Sequence, residues 1–517
     1  MPAADASIYD LAIIGGGING AGIARDAAGR GLSVVLFEKD DAGAHTSSNS
    51  TKLIHGGLRY LEYYEFRLVA EALAEREILL RAAPHIIEPL QFVLPHEPHL
   101  RPAWMIRMGL FLYDHLGGRG TLPSSFGVNL HSSRWGAGLK DKFQRGFVYS
   151  DARVDDARLV VLNLLGAREL GADIRIRARV AEARRENALW RVGVVDAAGA
   201  TSEIAARALI NAAGPWVKQV LDPILGTHGR DNVRHVKGSH IIVPRVHAEN
   251  HAYILQNSDQ RIVFVIPYQG SFSLIGTTDL PVEDYDNPVA SREEIDYLCD
   301  IVNAYLATPI GIRDVVSTYA GVRPLYDDGS QNPSEVTRDY VLKIDAGAPG
   351  EAPLLSIFGG KITTYRRLAE AALAELKAFF PQMKNEWTRN APLPGGDLPG
   401  GKLSELEREL AARYPALPSG LRAALARRHG ARAPRILGDA KTPADLGTHF
   451  GDTLYAAEVD HLVAVEWARS AEDVLWRRTK CGLHLSREQC DAVGAYLHEQ
   501  YGSTIALDSS GRVAQAR

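Results

Sequence analysis

Apolar residues at the start of the chain form short continuous runs that end in glycine. The segment "YDLAIIGGG", residues 9–17, predicts a buried strand that leads into a tight turn. Small residues from Gly17 to Gly29 follow it, which predicts a helix packed closely on a sheet. The run "LSVVLFEKD", residues 32–40, predicts a second buried strand. The first forty residues therefore predict a parallel strand–helix–strand unit.

Two other patterns alternate through the middle of the chain. Residues 61–83 have apolar positions three and four apart and are followed by Pro84, which predicts an amphipathic helix that stops there. The segment 206–216, "ARALINAAGPW", predicts another buried strand. Segments such as "AYILQ" and "RIVFVIPYQGSFSLIGTTD" are β-rich with turn residues between them, as in an antiparallel sheet. A second, antiparallel domain is therefore expected to be interleaved with the first.

The C-terminal quarter of the chain has a different amino-acid composition. Glycine and proline are concentrated in "APLPGGDLPGG", residues 391–401, which indicates a linker. Beyond it the chain is rich in Ala, Leu, Arg and Glu, which favours helices. The predicted fold is α/β: a Rossmann-like nucleotide-binding domain over 1–390, interleaved with an antiparallel β-sheet substrate domain at roughly 85–150 and 232–340, and an all-helical domain over 402–517.

Composition narrows the function classes. A chain of 517 residues with 46% hydrophobic and 23% charged residues is an ordinary globular protein of two or three domains. A net charge of -4 gives no reason to expect nucleic acid. Three scattered cysteines, Cys299, Cys481 and Cys490, make neither a disulfide framework nor a metal motif, so we predict no metal and a reducing cytoplasm. We expect neither a signal peptide nor a membrane-spanning helix.

The glycine turn carries the first chemical signal. Gly15, Gly17 and Gly20 form G-x-G-x-x-G between a predicted strand and helix, where backbone amides can bind a pyrophosphate. Glu38 ends the next strand, where a carboxylate accepts from ribose hydroxyls and disfavours NADP. There is no second fingerprint for a nicotinamide, and two Gly-Gly loops, "SSNSTKLIHGGLRYL" and "FGGKITTYRRLA", have the composition of anion-binding loops. FAD is therefore favoured over NAD.

Several ordered motifs carry a family resemblance. "IGGGINGAGIARDAAGRG", "KLIHGGLRYL", "NAAGPWV", "KGSHIIVPR", "IGTTD", "GVRPLYDD" and "GGKITTYRRLA" together resemble the FAD-dependent sn-glycerol-3-phosphate dehydrogenases of the aerobic bacterial respiratory type. The resemblance implies a D-amino-acid-oxidase-like flavoprotein that oxidises carbon 2 of glycerol 3-phosphate to dihydroxyacetone phosphate and passes electrons to membrane quinone. It also implies a homodimer at the cytoplasmic surface of the inner membrane. A glycerol-3-phosphate oxidase that uses oxygen, or an FAD enzyme for another small hydroxy or amino acid, remains the alternative.

Site residues follow from the chemistry of such a substrate. A phosphate dianion needs cationic donors, and a hydroxyl to be oxidised needs a base, for which histidine is better suited than arginine. His55 and His240 are the two candidates for the base, and Arg323 and Lys361 are candidates to stabilise the developing alkoxide. Substrate binding is assigned to Arg59, Tyr60, Arg323, Arg338 and Lys361. FAD binding is assigned to Gly15, Gly17, Gly20, Glu38, Ser47, Ser48, Ser50, Gly214, Gly359, Gly360, Lys361, Ile362 and Thr363.

Two segments are candidates for contact with a membrane surface. "RPAWMIRMGLFLYDHL", residues 101–116, combines large apolar residues with arginines and fits either an interfacial helix or a buried one. Arg427, Arg428, Arg432 and Arg435 fit either attraction to anionic lipid or an ordinary solvated helix face.

Overall fold

The predicted strand–turn–helix opens a three-layer α/β unit. The structure, a computed structural model, describes residues 4–97, 101–118, 120–186, 188–226, 232–257, 261–327 and 339–502. Its strands are β1 Ala4–Ile14, β2 Val34–Glu38, β3 Leu53–Ile54, β4 Ile87–His96, β5 Phe126–Asn129, β6 Arg145–Val154, β7 Asp173–Ile176, β8 Arg179–Glu186, β9 Leu189–Val195, β10 Thr201–Asn211, β11 Asn232–Pro244, β12 Ala252–Gln256, β13 Ile262–Tyr268, β14 Phe272–Gly276, β15 Leu280–Pro281, β16 Ser317–Asp327, β17 Val341–Asp345, β18 Leu354–Phe358, β19 His449–Gly451 and β20 Leu454–Tyr455.

The helices connect and cover these strands. They are α1 Ile18–Gly29, α2 Phe66–Ala82, α3 Ala103–Leu116, α4 Asp156–Glu169, α5 Val217–Gln219, α6 Arg292–Tyr305, α7 Tyr365–Glu375, α8 Leu403–Arg413, α9 Ser419–His429, α10 Ala433–Leu437, α11 Ala456–Glu466 and α12 Arg487–Tyr501. A 3₁₀ helix covers Leu58–Tyr63 and a π-helix covers Asp473–Arg478. The helix predicted from residue 61 therefore begins at Phe66, after Tyr64 takes a left-handed conformation (φ 60°).

The first sheet has the strand order β17-β18-β10-β1-β2-β7, in which the five strands from β18 to β7 are parallel and β17 is antiparallel. Alternate residues of β1 face opposite layers. Leu11 and Ile13 pack with α1, α4 and α7, whereas Ala12 and Ile14 pack on the side of β8 and β9. Both faces are covered, which explains the continuous apolar runs in the sequence.

The second sheet has the order β15-β11-β14-β13-β12-β4-β6-β3, with β16 also paired to β11 and β5 to β6. It is antiparallel except for the pairing of β4 with β12. One face packs on α6, and the other packs on α2 and α3. The short strand β3 pairs with β6 through Leu53 and Ile54, so the chain crosses from the nucleotide unit into this sheet just before His55.

The C-terminal region is helical, as predicted, but also contains the two-stranded pair β19–β20. The predicted linker is packed against the rest of the protein: residues 393–396 are buried, and the Leu393 amide donates to the Ala82 carbonyl at 2.8 Å. The α/β class with an interleaved antiparallel sheet is confirmed.

Three of the four arginines considered for lipid contact form ion pairs within the protein. Arg432 makes a bidentate pair with Glu169, both distances being 2.6 Å, and Arg427 pairs with Glu88. Arg428 is buried beside Glu458. Arg428 is therefore excluded from contact with lipid because it is buried, whereas Arg427, 49% exposed, and Arg432 pair with carboxylates at the protein surface, and lipid contact there stays a prediction.

Candidate active site

A cavity of about 700 Å³ lies where the two sheets meet. It is bounded by the glycine turn after β1, the segment between β2 and the 3₁₀ helix Leu58–Tyr63, strands β11 and β16, and the turn after β18. Ligand sites in open parallel sheets occupy this position, at the carboxyl ends of the strands. The cavity therefore brings the predicted cofactor and substrate segments together.

The glycine turn forms a cradle that side chains would fill. Gly15 has φ +107°, and a Cβ atom there would lie 2.5 Å from the Ala212 carbonyl oxygen. A Cβ atom on Gly20 would lie 1.9 Å from the Gly15 carbonyl oxygen, so the helix can approach the strand only with glycine at this position. Gly17 caps the N-terminus of α1 and lines the cavity. Exposed amides at a helix N-terminus suit a pyrophosphate.

Glu38 lies at the end of β2 and is buried at the cavity wall. Its Oε2 accepts from the Gly16 amide at 2.7 Å and its Oε1 accepts from the Asp40 amide at 2.8 Å. Burial raises the pKa of Glu38, while these two backbone bonds lower it. The bonds fix the carboxylate beside the glycine turn, where the sequence predicted contact with a ribose.

The predicted serines have different surroundings. Ser47 lines the cavity, and its Oγ accepts from the Ile18 amide at 3.0 Å. Ser50 also lines it but donates to the Asp156 carboxylate at 2.8 Å. Ser48 does not line the cavity; its hydroxyl donates to the His45 carbonyl oxygen at 3.2 Å. Gly214 lines the cavity, with open space where a Cβ atom would be.

The turn after β18 sits on the first turn of α1. Gly359 and Gly360 have φ +73° and +100°, and the Asn19 side-chain amide donates to the Gly359 carbonyl oxygen at 3.1 Å. Thr363 lines the cavity together with Ile362, and its Oγ1 accepts from the His55 amide at 3.3 Å. Residues more than three hundred positions apart therefore form one wall.

Lys361 places a buried amine in that wall. Its Nζ is buried and has no hydrogen-bond partner among the described residues, and it lies 3.9 Å from the centre of the Tyr60 ring. An ammonium in such a place is stabilised by the ring face and is free to bind an anion. This is the arrangement that an anionic substrate group requires.

The other predicted cationic residues differ in whether they reach the cavity. Arg323 of β16 lines the cavity, and its Nη2 lies 2.9 Å from Asp279 Oδ1 with both side chains partly exposed. Arg59 is not part of the lining and lies 3.4 Å from the Tyr63 hydroxyl. Arg338 lies outside the described residues. Lys361, Arg323 and Tyr60 thus meet in the cavity, and Arg59 does not join them.

Both predicted histidines line the cavity but differ in their environments. His240 of β11 is buried, with its Nε2 3.0 Å from Thr51 Oγ1 and its ring stacked on Tyr319. Burial lowers its pKa to about 3, and Lys52 and Arg323 contribute to the decrease. Burial also lowers the pKa of His55, but the Asp151 carboxylate raises it against the effects of Lys361 and Arg76. Both imidazoles are therefore neutral at pH 7.

Sequence reasoning missed several residues of the site. Asn19 lies inside the glycine fingerprint, and Thr51 and Lys52 lie inside the quoted "SSNSTKLIHGG" loop, so their motifs were visible although their roles were not. Lys52 donates to Asp156 at 2.8 Å and lies over the Tyr319 ring. Asp279 ends the quoted "IGTTD". Asn19 and Thr51 line the cavity themselves, whereas Asp279 lies outside the lining and pairs with Arg323, which is part of it.

The cavity fits a flavin dinucleotide. Glycine occupies the positions where a Cβ atom would enter the cradle, Glu38 is fixed at the end of the second strand, and the Lys361 ammonium lines the cavity directly after the second Gly-Gly turn. Gly15, Gly17, Glu38 and Ser47 would hold the dinucleotide, and residues 359–363 would hold its redox-active ring.

Two family models match the chain. Residues 10–366 match the FAD dependent oxidoreductase model, and residues 387–505 match the C-terminal domain of alpha-glycerophosphate oxidase. Together they cover both sheets and the helical region.

Curated relatives match over nearly their whole length. The chain is 54% identical to a glycerol-3-phosphate dehydrogenase of Pseudomonas aeruginosa (96% of this chain, 96% of the relative). It is 52% identical to a D-erythritol 1-phosphate dehydrogenase of Brucella abortus (94% and 97%). It is 51% identical to the aerobic glycerol-3-phosphate dehydrogenase of Escherichia coli K12 (97% and 99%).

A solved structure has the same architecture. The glycerol-3-phosphate dehydrogenase of Bacillus halodurans complexed with FAD is similar with a TM-score of 0.74 and 26% identity, over 97% of this chain and 92% of that one.

Proposed function

The chain belongs to the family of FAD-dependent glycerol-3-phosphate dehydrogenases, and from this premise we propose that it oxidises sn-glycerol 3-phosphate to dihydroxyacetone phosphate and delivers the electrons to membrane quinone. The resemblance drawn from the sequence motifs is confirmed by the family models and by relatives above 50% identity. FAD as the cofactor is likewise confirmed.

One observation carries the assignment of the site to an anionic substrate: the ammonium of Lys361 is buried beside Tyr60 and has no hydrogen-bond partner in the described part of the chain. A buried charge without a counter-ion is costly unless a ligand supplies the opposite charge. Arg323 opens into the same cavity and keeps further N–H donors beyond the one that meets Asp279. We assign the substrate's phosphate and its reacting oxygen to these cations and the Tyr60 hydroxyl.

Removal of the hydroxyl proton is assigned to His55. A base works best when its pKa lies near the operating pH, and the pKa of His240 near 3 makes that imidazole a poor proton acceptor. His55 is also neutral, but the nearby Asp151 charge stabilises its protonated form. His240, fixed by Thr51 and Tyr319, is assigned to hydrogen bonding in the substrate pocket.

The chemistry then divides between cofactor and protein. FAD, when bound, supplies the acceptor for the hydride that leaves carbon 2. His55 takes the proton from the carbon 2 hydroxyl, and the Lys361 ammonium lies where it can stabilise negative charge that develops on that oxygen. The backbone of residues 359–363 and the glycine turn hold the two reactants in the same cavity.

A second substrate is favoured by one comparison. The chain is as similar to a D-erythritol 1-phosphate dehydrogenase, at 52% identity, as to glycerol-3-phosphate dehydrogenases, at 51% and 54%. The phosphate-binding cations serve either substrate, since each is a phosphorylated polyol. Oxidation of a longer polyol phosphate is therefore the second candidate function.

Membrane quinone as the acceptor is supported by an unusual exposed face on α3. Trp104, Met108 and Phe111 are each more than half exposed, while Leu110 and Tyr113 on the other side of the helix are buried. Among the described residues no helix has both the length and the apolarity to cross a membrane. Such a helix suits insertion at the membrane surface, where quinone is reached. The predicted homodimer stays a prediction, which light scattering on the purified protein measures.

An anaerobic absorbance titration tests the function. The purified holoenzyme should show a flavin band at about 450 nm that bleaches on addition of glycerol 3-phosphate, and D-alanine serves as the control for amino-acid oxidation. Bleaching at lower concentration with D-erythritol 1-phosphate would favour the second substrate. Addition of a quinone analogue to the reduced enzyme should restore the band faster than admission of air does. Faster recovery in air would favour the glycerol-3-phosphate oxidase alternative. A band that ignores both phosphates overturns the proposal.

A further inference from the structure

A buried polar cluster lies directly under the loop that carries His55. Asp151 of β6, Tyr113 of α3 and Arg76 of α2 are each less than a tenth exposed. Arg76 Nη1 donates to Asp151 Oδ1 at 2.8 Å, and the Tyr113 hydroxyl lies 2.7 Å from Asp151 Oδ2. None of these side chains lines the cavity, so the reaction as described does not use them.

The cluster reaches the loop through one backbone group. The Gly56 amide donates to the Tyr113 oxygen at 2.8 Å and has a longer contact of 3.3 Å with Asp151 Oδ1. Since the Gly56 amide is the donor, the Tyr113 oxygen is the acceptor and its own proton goes to the Asp151 carboxylate. The direction of the whole chain of hydrogen bonds is thereby fixed.

Two glycines allow the loop backbone to come this close to Tyr113. A Cβ atom on Gly56 would lie 2.7 Å from the Tyr113 oxygen and 2.5 Å from Leu73, so no other residue leaves room for the hydrogen bond. Gly57 has φ +75°, which favours glycine and turns the chain into the 3₁₀ helix that carries Tyr60. The Gly-Gly pair of the "LIHGG" motif therefore has a structural role in addition to any contact with a ligand: it lets the loop backbone come within hydrogen-bond distance of Tyr113.

We propose that Tyr113 and Asp151 are positioning residues for the reaction: they hold the Gly56 amide so that His55 and Tyr60, on either side of it, face the substrate in the correct register. The inference rests on the proposed function for its kinetic readout, and Asp151 adds a second effect. Its charge acts on His55 together with the opposing charges of Lys361 and Arg76, while Tyr113 shares its proton with the same carboxylate.

Two variants separate position from charge. Tyr113→Phe removes one buried hydroxyl and leaves the Asp151 charge, whereas Asp151→Asn removes the charge and keeps the size. The matched control is Tyr149→Phe, because the Tyr149 ring lies in the same cluster, 5.8 Å from Tyr113 between ring centres. All are compared as purified holoenzymes by anaerobic stopped-flow reduction with glycerol 3-phosphate across pH, and by hydrogen exchange of peptides spanning residues 53–60.

Tyr113→Phe is expected to slow flavin reduction at saturating substrate roughly tenfold, to speed amide exchange in 53–60, and to leave the acid limb of the pH profile in place. Asp151→Asn is expected to slow reduction by at least about tenfold and to move the acid limb to lower pH by about half a unit or more, because a charge that favours protonated His55 is gone. Tyr149→Phe should match the unmodified protein.

The proposal is overturned if Tyr113→Phe gives reduction rates and amide exchange within about twofold of Tyr149→Phe. If Asp151→Asn does not fold, Tyr113→Phe decides, since loss of one hydroxyl is a small perturbation. If flavin in the unmodified protein is not reduced by glycerol 3-phosphate, the proposed function fails, while the exchange of residues 53–60 still decides whether Tyr113 holds the loop.

Discussion

Asp41 and Arg478 form a buried bidentate ion pair, with distances of 2.7 and 2.8 Å, across 437 positions of sequence. Arg477 adds a third bond to the same carboxylate at 2.6 Å. Asp41 lies in the loop between Glu38 and Ser47, both of which face the cofactor cavity, and the two arginines belong to the C-terminal π-helix. The C-terminal region therefore stabilises the loop between Glu38 and Ser47 through Asp41, which lies outside the cavity lining.

Substitution Asp41→Asn tests this relationship. It should lower the free energy of unfolding by roughly 3 kcal/mol, because the buried Arg478 guanidinium loses its bidentate carboxylate partner, and it should increase the rate at which FAD is released on dilution. Arg477 keeps its pairs with Glu472 and Asp473. The control Glu169→Gln breaks the more exposed pair with Arg432 and should cost less than about 1 kcal/mol. Denaturant unfolding and flavin fluorescence measure the two effects. Equal losses in both variants would contradict a special role for Asp41.

Substitution Gly20→Ala tests the cradle. The new Cβ atom would lie 1.9 Å from the Gly15 carbonyl oxygen, so α1 must move away from the turn that receives the pyrophosphate. The variant should purify with little or no flavin, measured by the ratio of absorbance in the flavin band to that of protein. Gly420→Ala in α9, with no atom within 4 Å of its Cβ, is the control and should keep its flavin. Full flavin content in Gly20→Ala would show that the cradle tolerates the shift.

Features encoded within one short segment could be predicted from the sequence. The turn at Gly15, the helix after Gly17 and the carboxylate of Glu38 belong to one strand–helix–strand unit, so their spacing defines their geometry. The loops at residues 47–61 and 358–369 could be assigned to one cavity because each has the composition of an anion-binding loop. Their contact, the His55 amide with Thr363, follows from the fold.

Features that depend on distant partners could not be predicted. Whether an arginine is solvated or part of an interface depends on a partner elsewhere in the chain, as with Arg432 and Glu169, so the sequence could not decide between lipid contact and an ordinary solvated helix face. Tyr113 and Asp151 have no local motif, and they meet only because α3 packs on the second sheet. The sequence shows residue types, but the packing of sheets and helices decides their neighbours.

Substitution Lys361→Met tests the anion site. It keeps the length of the side chain, removes the buried charge, and should lower kcat/KM for glycerol 3-phosphate roughly a hundredfold, since a charged partner of the substrate is lost. Flavin content should stay near that of the unmodified enzyme. Lys39→Met is the control, because Lys39 also lines the cavity but lies against Trp216 and is partly exposed. Steady-state kinetics decide, and equal losses in both variants would contradict the assignment of Lys361.

The double substitution Trp104→Ser with Phe111→Ser tests the exposed face of α3. Both side chains are more than half exposed, so their loss should leave thermal stability nearly unchanged but reduce flotation with anionic phospholipid vesicles by at least about tenfold. The control Val289→Ser removes another exposed apolar side chain, 69% exposed, at a different place. If the unmodified protein does not float with vesicles, or if the double variant floats as well as the control, α3 is not a membrane contact.

Acid should destabilise the protein through its buried histidines. His85 is almost completely buried near Arg158, and neither ring nitrogen has a hydrogen-bond partner among the described residues. Burial lowers the pKa of His85 to about 3, with further decreases from Arg158, His429 and Arg432. An unfolded chain binds a proton at this residue below about pH 6.5, whereas the folded chain does not until about pH 3. Its contribution to stability is therefore complete above the unfolded pKa and is lost as the pH falls.

Each pH unit below 6.5 should cost about 1.4 kcal/mol for this residue. His85→Leu should accordingly show a shallower decrease of unfolding free energy between pH 6.5 and 5, by about that amount per unit, measured by urea denaturation. His131→Leu, at an exposed histidine, should keep the slope of the unmodified protein. An unchanged slope in His85→Leu would mean that His85 takes up protons equally in the folded and unfolded states, which would contradict the lowered pKa.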